Sequence, residues 1–497
     1  MHSEVWHGFA AVSLLSLFAF AVHGYHPYSE DGGLYVAGIK KSLDPGLYPI
    51  HPEFVLAHLR FSPFAAAVAG ATRLTHLPLP WVLLAIDCAS IWATLYGGWL
   101  VISRCVESLP ARCGAVALLA CWLTMPIAGT SLMLLDPYVT ARSLSTPLAL
   151  LAVACTLDAL AGNRRGWVLC GLALTLAVVH PLMAGYAVAT IAVLLVIAAK
   201  DSPMRRWGPW TLGALALAGA SLVQVLAPPE SPEYVRAAMT RYYWFPVRWE
   251  WYEQCGLVVP LFFLAALARL RNSAAWQSVV RLALLLAAIS LAIAIVFART
   301  GLATHLVARL QPLRCYQMVY ELLFLLLGAW LGERWLARHL WRWGLMLALL
   351  GGSMILGQRS IYPASEHIEI PGGTPRNPYS QAFVWIRDNT PRDALFALDP
   401  HYITLPGEDA QSFRGIAERS ALPDYSKDGG EASITPALAT EWVAGQEAQK
   451  NLDAEAEAAR IAALRSFGVD WVVLERRSDT GWDCPYQNSA VKVCRLP

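Results

Sequence analysis

The sequence predicts an α-helical protein that crosses a membrane many times and ends in an α/β domain outside the bilayer. Of its 497 residues, 56% are hydrophobic and only 15% are charged, which is not typical of a soluble protein. Apolar segments close to the length of about 20 residues that crosses a bilayer recur through residues 1–357. Residues 358–497 are polar by contrast. We therefore predict a membrane domain over 1–357 and a second domain over 358–497.

About eleven segments are predicted to span the membrane. They cover residues 5–22, 81–102, 115–135, 146–161, 167–179, 185–199, 210–226, 251–268, 282–297, 318–331 and 344–356. The first segment lacks the basic residues and the cleavage motif of a removed signal peptide, so we expect it to stay in the membrane.

Residues 54–75 decide the predicted orientation. This stretch is nearly apolar, yet it contains Arg60, Pro63 and Arg73. If it does not span, one side of the membrane receives only short basic connections, as cytoplasmic loops should be. These connections carry Arg104 and Arg112, Arg164 and Arg165, Lys200, Arg205 and Arg206, Arg269, Arg271 and Arg281, and Arg334, Arg338 and Arg342. We therefore predict an interfacial helix over 54–75 inside an outer loop of residues 24–80.

This orientation places the protein in the inner (plasma) membrane with a cytoplasmic N-terminus and a periplasmic, extracytoplasmic C-terminal domain. Residues 167–199 are too few for two full spans, although both flanks are basic and should share one side. Two short helices with a sunken turn at His180 and Pro181 satisfy both conditions. Such a turn predicts a recess that opens to the outer side.

The C-terminal domain has the pattern of an α/β fold. An amphipathic helix is expected over 381–389, an apolar run over 394–398, another helix over 454–467 and a buried strand over 469–475. Cys484 and Cys494 flank a predicted hairpin. An oxidising compartment favours a disulfide between them, and two free thiols are the alternative.

Two outer loops carry acidic residues that could do chemistry. The first contains "SEDGG", in which Glu30 and Asp31 precede two glycines that would let the backbone approach a ligand. Adjacent carboxylates at a recess need a shared proton, a cation or an arginine. The alternative is a solvated helix cap. The second loop contains Asp136 and, six residues later, Arg142. A helix stop followed by a membrane-anchoring arginine is the alternative there.

Basic residues on the same side indicate an anionic ligand. Arg142, Arg241, Arg248 and Arg314 lie on the side where positive charge is disfavoured, so we predict that they bind substrate or phosphate. Arg248 and Arg314 are the preferred pair, because each stands just before a span. Contacts with lipid headgroups are the alternative. His180 is a further candidate for binding phosphate or acceptor, or is satisfied locally. A net charge of +2 gives no general attraction to nucleic acid.

The arrangement resembles the GT-C superfamily of membrane glycosyltransferases, or an uncharacterised bacterial relative of it. The resemblance rests on "SEDGG" in the first outer loop, "LLDPYVTARS" in the second, and "AFVWIRDNTPRDALFAL" at the start of the outer domain. It implies a GT-C-like fold in the cell envelope. It also implies inverting transfer of a sugar from a polyprenyl-phosphate-linked donor to a glycan, lipid or protein acceptor.

The resemblance also assigns roles to residues. The catalytic acids would be Asp31 or Glu30, with Asp136 as the acid of the second loop and Arg142 beside it. The acting base should have a pKa raised by burial toward the working pH. A divalent cation, Mg²⁺ or Mn²⁺, could bind to Glu30, Asp31 and Asp136. However, Pro137 stands where oligosaccharyltransferases have a second acid, so the need for a metal stays open.

Two other functions remain as alternatives at this point. A transporter or flippase of a lipid-linked saccharide would depend on acids within the spans, namely Asp87, Asp158 and Glu321. A non-catalytic GT-C relative would act as a scaffold through its C-terminal domain.

Overall fold

A computed structural model describes residues 2–198, 203–405, 409 and 411–497, with the side chains of residues 2–5 and 203–205 left out. Ala199 and Lys200, which we predicted to end a span and to lie in a basic connection, are outside the described residues.

The N-terminal three quarters of the chain is helical. Its α-helices are α1 (His2–His23), α2 (Glu30–Leu43), α3 (Glu53–Leu59), α4 (Phe64–Thr75), α5 (Leu79–Cys105), α6 (Leu109–Cys121), α7 (Ala141–Leu160), α8 (Arg165–Ala177), α9 (Pro181–Ala198), α10 (Pro203–Leu226), α11 (Pro232–Met239), α12 (Trp251–Ala268), α13 (Ala274–Phe297), α14 (Leu306–Arg309), α15 (Tyr316–Leu331) and α16 (Leu340–Ile361).

The predicted membrane architecture is confirmed at the level of the helices. In the described part of the chain, nine helical segments are long and apolar enough to cross a membrane, or up to ten if α3 and α4 count as one bent span. Every one of the eleven predicted segments falls at least partly on a helix, but α6 and α8 are shorter than a full span. The protein is therefore an integral membrane protein with a helical bundle.

The predicted span over 115–135 is wrong in its second half. Helix α6 ends at Cys121, and residues 122–140 form an irregular segment. Pro126 cannot donate a helical hydrogen bond and disfavours helical backbone in the residue before it. Ala128 and Ser131 then adopt positive φ angles of 47° and 56°. As a result, Asp136 lies in a long loop and not at a helix end.

Residues 54–75 form two helices with a sharp bend. The axes of α3 and α4 differ by 90° across the break at residues 60–63. With 7 and 12 residues, neither helix alone has the length of about 20 residues that crosses a bilayer.

Four basic connections meet at one end of the bundle. Arg104 at the end of α5 donates from Nε to Asp158 of α7 at 2.9 Å. Arg271, after α12, forms an ion pair with Glu333, after α15. Ser273 joins the two pairs by donating to the carbonyl of the last residue of α5 at 3.4 Å. We call this the Arg104 end of the bundle.

Several other connections of the described chain meet at the opposite end. Tyr186 of α9 donates to the carbonyl of Gln311 at 2.9 Å, and Gln317 of α15 donates to the carbonyl of Leu134 at 2.8 Å. We call this the Asp31 end, because the loop of Glu30 and Asp31 lies there.

The C-terminal part forms a small α/β domain. Its elements are α17 (Pro378–Asn389), β1 (Leu395–Ala397), α18 (Phe413–Ala417), β2 (Ser420–Ala421), α19 (Lys427–Ile434), α20 (Ala439–Ala448), α21 (Glu457–Arg465), β3 (Trp471–Glu475), β4 (Tyr486–Gln487) and β5 (Val491–Arg495). The strand order is β2-β1-β3-β5-β4, with β1 parallel to both of its neighbours and β5 antiparallel to both of its own.

The sheet is buried on both faces because successive side chains point to opposite sides. Phe396 and Trp471 pack on one face with α17 and α18, whereas Leu395 and Val472 pack on the other. The predicted α/β pattern is confirmed by α17, β1, α21, β3 and the β4–β5 hairpin. Cys484 and Cys494 are joined by a disulfide with a 2.01 Å S–S bond. Elements α18, α19 and α20 were not predicted.

Candidate active site

A cavity of about 910 Å³ opens at the Asp31 end of the bundle. Its walls come from the start of α2, the start of α7, the α8–α9 turn, the loop after α11, the segment before α15 and the region of α19. Of the predicted site residues, Glu30, Asp31, Arg142, His180, Arg241 and Arg314 line it. The structure therefore gathers residues from distant parts of the chain into one cavity.

The C-terminal domain contacts the chain just before α2, where Glu30 and Asp31 begin the helix. The backbone N–H of Ser412 donates to the carbonyl of Tyr28 at 2.9 Å, and α2 begins at Glu30 without a side-chain cap from Ser29. Glu30 has a φ of 50°, a left-handed conformation that costs roughly 1–2 kcal/mol. The two carboxylates are 41% and 35% exposed, so they face the cavity.

The two glycines that follow serve packing, which corrects our expectation that they approach a ligand. A Cβ added at Gly32 would lie 2.8 Å from Cβ of Tyr138, and one at Gly33 would lie 2.1 Å from Cβ of Ser412. Tyr138 and Ser412 thus occupy the space that these glycines leave open. Gly33 lets α2 and the C-terminal domain touch.

Arg142 links the acids of the two loops. Its Nη1 donates to Asp31 Oδ2 at 3.1 Å, while Nη2 and Nε donate to Asp136 Oδ2 at 2.8 and 3.2 Å. Arg142 is 8% exposed and Asp136 is 6% exposed. A buried, ion-paired guanidinium does not anchor the protein to lipid headgroups, so that alternative is wrong. Asp136 does not line the cavity, and it orients Arg142 from behind.

Lys427 is a site residue that the sequence analysis missed. It is the first residue of α19, and its ammonium group forms an ion pair with Glu30 and lies 3.3 Å from Asp31 Oδ1. The backbone N–H of Lys427 donates to Asp424 Oδ1 at 2.6 Å. Arg241 donates to the carbonyls of the two residues before Lys427, at 2.6 and 3.1 Å.

One signal in the sequence could have identified Lys427. The hexapeptide "YSEDGG" at residues 28–33 is repeated as "YSKDGG" at residues 425–430, with a lysine in place of the glutamate. Both copies start a helix at their third residue, α2 at Glu30 and α19 at Lys427. The two third residues, of opposite charge, meet in the cavity.

The electrostatics of the acids differ from our expectation. Burial would raise the pKa of Asp31, but the charges of Lys427, Arg142 and Arg314 hold that pKa well below its usual value. Our expectation of a raised pKa for the base is therefore wrong for Asp31. For Asp136, burial raises the pKa and the charge of Arg142 only partly offsets it. The neighbouring cations thus favour the anionic form of Asp31.

Arg314 is an arginine of the cavity that keeps free hydrogen-bonding capacity. Its Nε is buried and has no hydrogen-bond partner among the described residues. Arg241 also lines the cavity, but its guanidinium is engaged by backbone carbonyls. Arg248 is exposed, donates to the carbonyl of Met239 and does not line the cavity. The prediction of a phosphate role for Arg248 is not supported by its position, because Arg248 does not line the cavity that holds the acids.

His180 lies in the turn between α8 and α9, where we predicted a recess. Its Nδ1 accepts from the backbone N–H of Met183 at 3.3 Å. Burial, together with the charges of Arg142 and Arg314, places the pKa of His180 well below its usual value. In the neutral ring, Nδ1 is the acceptor and Nε2–H is a donor. His180 can therefore donate a hydrogen bond to an anion in the cavity.

The acids do not fit a divalent cation as the structure arranges them. No group of three His, Cys, Asp or Glu side chains within the described ranges has the geometry to hold a metal ion. The space between Glu30 and Asp31 is taken by the Lys427 ammonium, and the space between Asp31 and Asp136 by the Arg142 guanidinium. The predicted Mg²⁺ or Mn²⁺ site at Glu30, Asp31 and Asp136 is therefore not formed.

A second, apolar cavity of about 750 Å³ adjoins the first. It lies between α5, α7 and α8 and is lined by side chains such as Trp92, Tyr96 and Leu148. Pro63 and Val179 line the apolar cavity, while the neighbouring Ser62 and His180 line the polar one. Ser62 donates to the carbonyl of Val179 at 2.5 Å, so the two cavities share a wall.

The acids within the spans lie elsewhere. Asp158 is paired with Arg104 at the opposite end of the bundle. Asp87 and Glu321 are buried, and neither lines the polar cavity. The three residues that a transporter would depend on are therefore not gathered at the site.

No family model and no curated protein matches the sequence. Solved structures of the oligosaccharyltransferase of Archaeoglobus fulgidus are similar at low sequence identity. One, with a tethered acceptor peptide containing the NVT sequon, has a TM-score of 0.49 and 11% identity over 95% of this chain and 69% of the other. Another, AglB with an inhibitory peptide and dolichol-phosphate, has a TM-score of 0.49 and 14% identity over 95% and 70%. A third, with Zn and sulfate, has a TM-score of 0.40 and 12% identity over 94% and 68%.

Proposed function

We propose that the protein is a membrane glycosyltransferase of the GT-C type. It would transfer a sugar from a polyprenyl-phosphate-linked donor to a glycan, lipid or protein acceptor on the extracytoplasmic face, with inversion at the sugar carbon. One observation carries the proposal. A polar cavity with two carboxylates and an unengaged arginine shares a wall with an apolar cavity between membrane helices.

The pair of cavities fits a ligand with a charged head and a long apolar tail. The tail would lie in the apolar cavity along Trp92 and Tyr96. The phosphate would then reach the polar cavity past Ser62, where Arg314 and the Nε2–H of His180 can donate to its oxygens. Both donors also stabilise the negative charge that grows on the phosphate as the sugar leaves.

The acceptor would be activated at Glu30 and Asp31. In a single displacement, the acceptor hydroxyl oxygen attacks the anomeric carbon while the bond from that carbon to the phosphate oxygen breaks. A carboxylate takes the hydroxyl proton, and the polyprenyl phosphate departs with the bonding electrons. Asp31 lies between two cations and is a weak base, so it suits orientation of the acceptor. Glu30 contacts Lys427 but not Arg142, so we assign it the transfer of the hydroxyl proton.

The proposed orientation puts the Asp31 end outside the cell. Basic connections meet at the Arg104 end, which is typical of the cytoplasmic side. The disulfide between Cys484 and Cys494 favours an oxidising compartment for the C-terminal domain. Alkaline phosphatase fused after Pro497 should be active in cells, and an inactive, cytoplasmic fusion would reverse this orientation.

The central test is sugar transfer by the purified full-length protein in nanodiscs. Radiolabelled polyprenyl-phosphate sugars are supplied with glycan, lipid and peptide acceptors. Glu30→Gln and Asp31→Asn should each reduce transfer by roughly 10²-fold or more, the usual contribution of a positioned acid or base. Glu447→Gln, at a carboxylate 55% exposed on α20, is the matched control and should transfer normally. Full activity in both site variants would reject the assignment.

Donor binding is tested separately by thermal shift with a polyprenyl phosphate. The ligand should stabilise the wild-type protein, and Arg314→Met should remove most of that shift. Arg477→Met is the control, because this side chain is 86% exposed on the C-terminal domain. If Arg314→Met binds the lipid as well as the control does, the phosphate does not bind at Arg314. Loss of lipid movement across the bilayer in Asp87→Asn or Glu321→Gln, with transfer absent, would instead favour a transporter.

A further inference from the structure

Lys427 is the side chain of the C-terminal domain that enters the acidic part of the cavity. We propose that its ammonium group acts as a built-in counter-ion that takes the position of a divalent cation at Glu30 and Asp31, so that the site works without a metal. This role in catalysis rests on the proposed function. The preference for an ammonium group over a metal ion at the carboxylates does not.

Each of the three acids already has a cationic partner. Glu30 and Asp31 contact Lys427, and Asp31 and Asp136 contact Arg142. The Lys427 ammonium touches both cavity-facing acids, as a shared metal ion would. Divalent cations require carboxylate oxygens at about 2.0–2.6 Å around one point. At Glu30 and Asp31 that point is taken by Nζ of Lys427, so a metal could bind only after the lysine had moved.

The surrounding structure keeps Lys427 in place. Its side chain is only 18% exposed, and Asp424 accepts a hydrogen bond from its backbone N–H. Arg241 holds the carbonyls of Tyr425 and Ser426 just before it. The carboxylates also raise the pKa of Lys427 despite its burial, so it stays charged. Lys427 therefore has a mostly buried side chain on a backbone that its neighbours hold, which makes it a positioning residue and not a mobile surface lysine.

The test measures binding of Mn²⁺ to the full-length protein by electron paramagnetic resonance, which needs no enzymatic activity. The wild-type chain should show no Mn²⁺ site that disappears on Glu30→Gln. Lys427→Ala should gain one such site and bind Mn²⁺ at the carboxylates at least about tenfold more tightly than the wild-type chain does. The reason is that a nearby positive charge repels the ion strongly at an effective dielectric constant of about 20. Lys427→Arg keeps the charge and should gain none. Lys450→Ala, at a lysine 67% exposed, is the matched control and should behave as wild type.

Two results would overturn the proposal. One is a wild-type Mn²⁺ site that is lost on Glu30→Gln, and this measurement does not depend on whether any lysine variant folds. The other is a folded Lys427→Ala protein, eluting as a single species in detergent, that gains no Mn²⁺ site.

Transfer assays test whether Lys427 replaces a metal ion during catalysis. Wild-type transfer should be unaffected by EDTA, whereas transfer by Lys427→Ala should fall and recover in part with Mg²⁺ or Mn²⁺. If no lipid-linked sugar is transferred by any form, the proposed function fails, and the Mn²⁺ measurement still decides the role of Lys427 as counter-ion.

Discussion

Replacement of Arg142 by leucine should destabilise the protein in a way that depends on pH. The change removes the donor of two hydrogen bonds to Asp136 and one to Asp31. Asp31 keeps Lys427, but Asp136 is 6% exposed and loses its charged partner. Breaking a buried ion pair costs about 3–5 kcal/mol. For 497 residues at about 2.1 cal/mol/K each, the unfolding entropy is about 1 kcal/mol/K, so Tm should fall by roughly 3–5 °C.

The pH dependence follows from the carboxyl group that is left behind. The pKa of Asp136 is already raised by burial, and it should rise further without the guanidinium. A carboxyl group with a raised pKa in the folded state stabilises the fold at low pH, and this stabilisation is lost as the pH rises. The loss of Tm in Arg142→Leu should therefore be smaller at acidic pH than at alkaline pH.

Differential scanning fluorimetry of the protein in detergent measures these changes. Asp136→Asn in the Arg142→Leu background should restore about half of the lost Tm at high pH, because the amide carries no charge to bury. Asp388→Asn in that background is the control, since Asp388 is 54% exposed and is paired with Arg387. A loss of Tm that is equal at both pH values, or that Asp136→Asn leaves unchanged, would refute the reasoning about the buried pair.

Three further changes test the packing at Gly33, the burial of Asp424 and the disulfide. Gly33→Ala should destabilise the protein by about 1–3 kcal/mol through overpacking against Ser412, whereas Gly70→Ala, with nothing within 4 Å of the added Cβ, should leave Tm the same or slightly higher. Burial raises the pKa of Asp424, so the contribution of this carboxyl group to stability falls as the pH rises through that pKa. Asp424→Asn removes the titrating group and should flatten the dependence of Tm on pH there. Cys484→Ala opens a loop with a sequence separation of 10 residues, and the lost constraint should cost about 3 kcal/mol, measured by urea unfolding.

The membrane helices were predictable because the bilayer imposes a simple rule on the sequence. Each crossing segment must be apolar over most of its length, and α5, α13 and α16 follow that rule. The rule failed over 115–135, where α6 ends at Cys121 and Pro126 prevents the helix from continuing, although the residues between them are mostly apolar. A local backbone restriction prevailed there over hydropathy.

The acidic loops could also be predicted from the sequence, but only some of the basic residues that pair with them could. Asp136 and Arg142 are six residues apart, and their proximity could be expected. The contact between Lys427 and Glu30 joins residues 397 apart in the chain. Lys427 starts a short helix in a polar region without a clear periodic pattern, so neither hydropathy nor spacing pointed to it. Such a contact depends on how two domains dock, and the repeated hexapeptide at residues 28–33 and 425–430 was the sequence signal that could have pointed to it.

The distance between Glu30 and Lys427 along the chain sets an order of events during synthesis. At about 5–20 residues per second, the ribosome makes the lysine roughly 20–80 s after the glutamate. The first helices can insert during that interval, while the carboxylates still lack the ammonium group. A nascent or prematurely terminated chain therefore contains the acids without their counter-ion, and the site is completed only when translation has passed residue 427 and the last domain has folded.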